Sequence, residues 1–120
     1  MSVANRNMII ALVAIKASSE RRDELRKALS SLSGPTEAQL GCTSWQLFQD
    51  VSDPDMLRVE SRWKSESDLF RHIRSEAYKK FLLLMELGTE PPTIEFFAAS
   101  ELRGLDLIKA AREPSNWPMV

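Results

Sequence analysis

The stretch Met8-Ile-Ile-Ala-Leu-Val-Ala-Ile-Lys16 constrains this chain more than any other. It reads as a strand, and no polar side chain appears before Lys16. Consecutive residues of a strand point to opposite faces, so both faces of this one are apolar. A sheet built around it needs apolar material on each side. Two helices supply one layer, and a second copy of the chain packed by two-fold symmetry is the simplest source of the other. The alternative is a monomer whose C-terminal helix covers the open face.

The remaining elements follow by periodicity and punctuation. Ser18 and Ser19 offer a helix N-cap, with Glu20, Asp23 and Glu24 near the positive helix start. Leu25, Leu29 and Leu32 form one stripe, and Gly34-Pro35 is expected to end the helix. Pro35 to Gly41 reads as a connection. A second strand runs from Cys42 to Asp50, with Thr43, Trp45 and Leu47 on one face and Cys42, Ser44, Gln46 and Phe48 on the other. Asp50-Val-Ser-Asp-Pro-Asp is a turn into a third strand, Met56 to Trp63, and the pair reads as a hairpin. Ser65 caps the next helix, whose stripe is Leu69, Ile73, Ala77, Phe81 and Met85; Ser75 is a second cap candidate within it. Gly88 and Pro91-Pro92 close that region, and Thr93 to Ser100 is a fourth strand. The order β-α-β-β-α-β is the ferredoxin-like split motif, an α+β sandwich. Arg103 to Arg112 reads as a short extra helix, followed by a tail; Leu105, Ile108, Trp117 and Met119 are apolar anchors expected to hold this segment against the other subunit or the pocket rim, the alternative being a partly disordered tail.

The chain of 120 residues is expected to be one domain, with a core over about 8–100 and a helical extension and tail over 101–120. With 16 basic and 17 acidic residues, nothing steers it toward nucleic acid or an anionic membrane. No apolar run approaches the ~20 residues of a membrane span. The start lacks the pattern of a secretory signal, and Cys42 has no cysteine to pair with. A cytoplasmic location is the expectation. One histidine and one cysteine make no zinc cluster, and there is no glycine-rich phosphate loop.

Two segments resemble the antibiotic biosynthesis monooxygenase family. Gly41-Cys-Thr-Ser-Trp-Gln-Leu-Phe-Gln-Asp50 is similar to its second strand. Val59-Glu-Ser-Arg-Trp-Lys-Ser-Glu-Ser-Asp-Leu-Phe-Arg-His72 looks like its third strand and following helix, and Ser75-Glu-Ala-Tyr-Lys-Lys-Phe81 also fits. The resemblance covers about Met8 to Ser100. It implies the family's fold, a dimeric α+β barrel in which two ferredoxin-like units pack sheet to sheet. It further implies a cofactor-independent monooxygenase acting on a small aromatic or quinol-type substrate, with a non-catalytic small-ligand binder as the alternative. The family's haem-degrading branch has an asparagine in the first strand where this chain has Ala11 and Leu12, and a later helix histidine that this chain lacks.

The implied pocket lies between the sheet and the second helical region. Trp45, Trp63 and Phe70 are its substrate-binding candidates; His72 and Tyr78 are its catalytic candidates. Each has a plainer reading. An unperturbed histidine titrates near 6.5 and could take a phenolic proton, or His72 could simply bond a neighbour. Strand tryptophans are often core residues, and Tyr78 could merely mark a helix surface. Arg58, Glu60 and Arg62 share a strand face and read as an ion network rather than acid–base chemistry. Cys42 reads as a small buried hydrophobe.

Overall fold

The computed structural model describes residues 7–117. Met119, expected to anchor the tail, lies outside the described residues. The elements are β1 (Met8–Lys16), α1 (Arg22–Ser30), α2 (Ser33–Glu37), β2 (Cys42–Gln49), β3 (Met56–Trp63), α3 (Glu66–Ile73), α4 (Glu76–Met85), β4 (Thr93–Ala99) and α5 (Leu105–Arg112). A single 3-10 turn, Pro114–Asn116, follows α5. The four strands form one antiparallel sheet in the order β2-β3-β1-β4.

Strand β1 is one of the two central strands, paired with β3 on one side and β4 on the other, and it is apolar on both faces. Its residues alternate between buried and half-buried along the whole strand. Ile9, Ala11, Val13 and Ile15 face the helices and are buried. Register places Val59 opposite Val13, Ser61 opposite Ala11 and Trp63 opposite Ile9, so these share that face. Leu25 and Leu29 of α1 and Phe81 and Met85 of α4 close the main core over it. A smaller cluster joins Ile9, Trp63 and Leu69.

The expected closed barrel is not what forms. The sheet is open, with β2 and β4 as its two edges, and among the described residues helices cover only one face. Closure requires the edge strands to pair through tilt and stagger, and β2 and β4 lie at opposite ends of four strands. On the uncovered face, Ile10 pairs across to Phe97 and to Arg62, and Leu12 to Glu60 and Glu95. Charges there pair unevenly: Nε of half-buried Arg62 lies 3.6 Å from Glu60, within ion-pair but not hydrogen-bond distance, and exposed Arg58 donates to Asp50 at 2.6 Å. The C-terminal helix does not cover this face, since α5 is exposed along its whole length.

Local departures have local causes. The first helix begins at Arg22, because Ser18 spends its hydroxyl on a turn, accepting from the Arg21 amide. Gly34-Pro35 falls inside α2 instead of ending a helix. Proline is tolerated in a first turn, where its missing N–H would be unpaired anyway. In β2 a bulge lies between Cys42 and Ser44. It turns Cys42 to the Trp63 side, onto the face of Trp45 rather than that of Ser44 and Gln46.

The region after β4 stands apart. Residues 101–117 are exposed throughout. Asn116 and Trp117 donate to the carbonyls of Ala110 and Ala111, so the 3-10 turn folds back on the end of α5. The Cα radius of gyration is 17.5 Å, where a compact chain of this length has roughly 14 Å.

Candidate functional site

Three of the singled-out residues meet. Trp63 ends β3, and Ser65 starts α3 two residues later by accepting a hydrogen bond from the Asp68 amide. Gly41 makes this sharp turn compact. Its φ of 85° suits glycine, its carbonyl accepts from the Lys64 amide at 2.8 Å, and a Cβ there would collide with Asp68. Nearly two turns into α3, His72 comes back over the strand end. Its ring stacks on Trp63, centroids 4.3 Å apart, planes 20° from parallel. Ser75 then breaks the helical run and caps α4 by accepting from the Tyr78 amide. That kink brings Tyr78 edge-on to His72, at 5.0 Å and 86°.

The cluster is deeply set. Trp63 is inaccessible, with its Nε1–H satisfied by Ser61 Oγ at 3.0 Å. His72 is 4% exposed and Tyr78 7%. Burial lowers the His72 pKa to about 4, so the ring is neutral near pH 7. Burial likewise pushes the Tyr78 hydroxyl up, so it stays protonated and able to donate.

One hydrogen-bond chain holds the imidazole. Its Nδ1 lies 2.7 Å from Oε1 of Gln39, and Nε2 of Gln39 donates to Ser75 Oγ at 3.2 Å. Ser75 in turn donates to the His72 carbonyl at 2.6 Å. Gln39 was invisible to pattern reading. It sits in a connection 33 residues from His72, and no periodicity marks a loop amide as a partner.

Three spaces lie at or near the cluster, and one of them, about 250 Å³, opens on the Gln39 side between Leu40, Asp68, Arg71, His72 and Ser75. An open, mostly apolar groove of about 320 Å³ runs between α3 and β4, lined by Ile9, Leu69, Phe70, Ile73, Phe96 and Ala98, with Glu66 at its edge. Behind it lies a cavity of about 10 Å³ bounded by His72, Tyr78, Ser61, Leu69 and Phe96, among others, room for about one water. Leu69 and Phe96 line both, so they are the wall between them. The larger space holds little chemistry, and the chemistry sits beside the smaller one.

The other two expected residues lie elsewhere. Phe70 is 46% exposed and lines the outer groove. Trp45 is buried on β2 and borders a separate, polar groove with Arg26, Lys27 and Ser33. The structure does not bring Trp45 to the groove that Phe70 lines. Cys42 is half-buried, and burial raises its thiol pKa. Among the described residues, no group of three histidine, cysteine, aspartate or glutamate side chains is placed to hold a metal, and no helix is long and apolar enough to cross a membrane.

Known proteins give this arrangement a context. No curated protein matches the chain. A conserved protein from Methanosarcina mazei Go1 has a similar structure, with a TM-score of 0.73 and 26% identity over 78% of this chain and 94% of that one. Rv0793 from Mycobacterium tuberculosis, 24% identical, aligns over 81% and 99% with a TM-score of 0.73. PA3566 from Pseudomonas aeruginosa, 23% identical, aligns over 77% and 93% with a TM-score of 0.68. The last two are likenesses of fold. The sequence profile of the antibiotic biosynthesis monooxygenases matches residues 8–82, which span β1 through most of α4 and include Trp63, His72 and Tyr78. By that match, the chain belongs to the antibiotic biosynthesis monooxygenase family.

Proposed function

We propose that this protein is a small monooxygenase that works without a cofactor on a compact aromatic or quinol-type molecule, as a cytoplasmic homodimer. The carrying observation is the neutral His72, clamped between Trp63 and Tyr78 behind the wall of an apolar groove. The groove suits a flat apolar ring, and Phe70 and Phe96 offer it faces to stack on. Movement of Phe96 would let the ring's hydroxyl reach the His72 side. The uncovered apolar residues Ile10, Leu12 and Phe97 support pairing with a second copy.

The chemistry balances with the substrate as sole reductant. A hydroquinone and O2 give a hydroxyquinone and water. One oxygen atom replaces a ring hydrogen, and the other leaves as water with two protons. All four electrons come from the quinol. Within that reaction, the protein binds the ring, excludes water and accepts the phenolic hydrogen at the His72 imidazole, while Tyr78 donates toward developing negative charge on oxygen.

A small-ligand binder is the second reading. The low basicity of His72 favours it, because a group with a pKa of about 4 is a weak proton acceptor. Oxygen consumption across hydroquinones and polycyclic phenols, with metal-stripped protein, separates the two. The enzyme consumes oxygen above the autoxidation blank and loses about 10²–10⁴-fold on His72→Ala. Tight binding with no excess uptake replaces the enzyme with the binder.

A further inference from the structure

We infer that Gln39 is a positioning residue, which holds His72 as its Nδ1–H tautomer and thereby reserves Nε2 as the acceptor of the site. The inference rests on the reading of His72 as the acceptor in a monooxygenase, and it goes further by naming the atom and what selects it.

The hydrogen bonds admit one consistent assignment. Ser75 has one hydroxyl proton, and its 2.6 Å bond to the His72 carbonyl uses it. Ser75 Oγ therefore meets Gln39 as an acceptor, and the group facing it must be the Gln39 NH2. The Gln39 carbonyl oxygen is then the atom turned to His72. A carbonyl oxygen only accepts, so Nδ1 must carry the hydrogen. Burial keeps the ring neutral, so its second nitrogen has none. Nε2 makes no hydrogen bond among the described residues, and His72 lines the small cavity that Tyr78 and Phe96 also bound. A lone pair that no described residue engages, on a ring beside a cavity, is what an acceptor for a ligand O–H requires.

The rest of the surroundings cannot make this selection. Trp63 stacks on the ring face and Tyr78 meets it at an edge-to-face angle, so both fix its plane without choosing a tautomer. Asp68 and Arg71 line the shallow pocket outside Gln39, but they bond each other at 2.8 Å. Among the described residues, only the Gln39 amide distinguishes the two nitrogens. In the absence of such a partner, histidine ordinarily favours hydrogen on Nε2, the form that would block acceptance there.

The chain has one histidine, so nitrogen-15 NMR of tag-free, histidine-labelled protein at pH 7 reads His72 alone. The wild type is expected to show a protonated Nδ1 and an unprotonated Nε2. Gln39→Leu is expected to shift the population toward Nε2–H, and Gln39→Glu, which keeps an acceptor, to retain Nδ1–H. On a substrate that the wild type turns over, Gln39→Leu should lose roughly ten-fold or more in kcat and Gln39→Glu much less. A wild type with hydrogen on Nε2 overturns the inference, as does a folded Gln39→Leu protein with the wild-type tautomer. If no substrate consumes oxygen, the monooxygenase reading falls, and the NMR result still decides the role of Gln39.

Discussion

The imidazole of His72 lies on the indole of Trp63, with centroids 4.3 Å apart and planes within 20° of parallel. Nine residues separate them in sequence, and the turn at Gly41, Lys64 and Ser65 closes that distance. The stack packs the ring as a neutral aromatic, and that has a cost in acid.

Stability should fall as pH drops from about 6.5 toward about 4. In the unfolded chain His72 takes a proton near 6.5, whereas in the fold burial delays it to about 4. Between those values the unfolded state binds more protons, so stability is lost on acidification. The full shift corresponds to a ceiling of about 3 kcal/mol. Carboxylates such as Asp68, held low by Arg71 and Ser65, add their own acid loss. Urea unfolding of wild type and His72→Phe across this range isolates the histidine, since only the difference should narrow with falling pH. A constant difference would contradict it.

Gly41→Ala should destabilise by at least about 1–3 kcal/mol from backbone strain alone, with the collision against Asp68 in addition. Combining it with Asp68→Ala should recover only the part owed to the carboxyl group, because the Cβ that alanine keeps also lies against the new methyl, and the backbone strain remains. A double-mutant cycle by urea unfolding measures this, and a coupling energy of zero would show that the Asp68 carboxyl group and the new methyl do not meet.

Phe96→Ala should join the outer groove to the cavity beside His72, because Phe96 is part of the wall they share. The expected result is tighter binding of a small phenol such as 1-naphthol, followed by ligand fluorescence. Phe96 is 46% exposed, so the loss of stability should be less than the roughly 3–5 kcal/mol of a buried phenylalanine. Unchanged affinity would mean that Phe96 is no barrier.

Removing residues 102–120 should change the unfolding free energy of the domain by no more than about 1 kcal/mol, the range of exposed sites, since none of residues 102–117 is buried. Thermal unfolding of the truncated protein tests it. A large drop in midpoint would place the extension in a stabilising contact.

The sequence spoke most clearly where one periodicity acted alone. The alternation of β3 put Leu57, Val59 and Trp63 in the core, and Ser65 and Ser75 marked both helix starts through short-range hydrogen bonds. It failed where a local irregularity reset the count, as at the Cys42–Ser44 bulge, or where a rule has an exception, as with Pro35 in a first helical turn. The barrel was expected from the family resemblance together with the apolar character of β1, and that character fixes only that both faces resist water. Of the site, Trp63, His72 and Tyr78 were legible because they lie on consecutive elements. Gln39 and Phe96 were not, because a contact between distant segments leaves no trace in the spacing of either.

The oxygen of Ser75 is where the connection before β2, the end of α3 and the start of α4 converge, through Gln39, the His72 carbonyl and the Tyr78 amide. A helix end that is tied only to itself frays one residue at a time. Here, releasing the first turn of α4 also releases the loop that carries Gln39, so the two segments form one cooperative unit of local opening. Amide hydrogen exchange in the first turn of α4 should therefore keep step with exchange around Gln39, although nearly forty positions of chain lie between them.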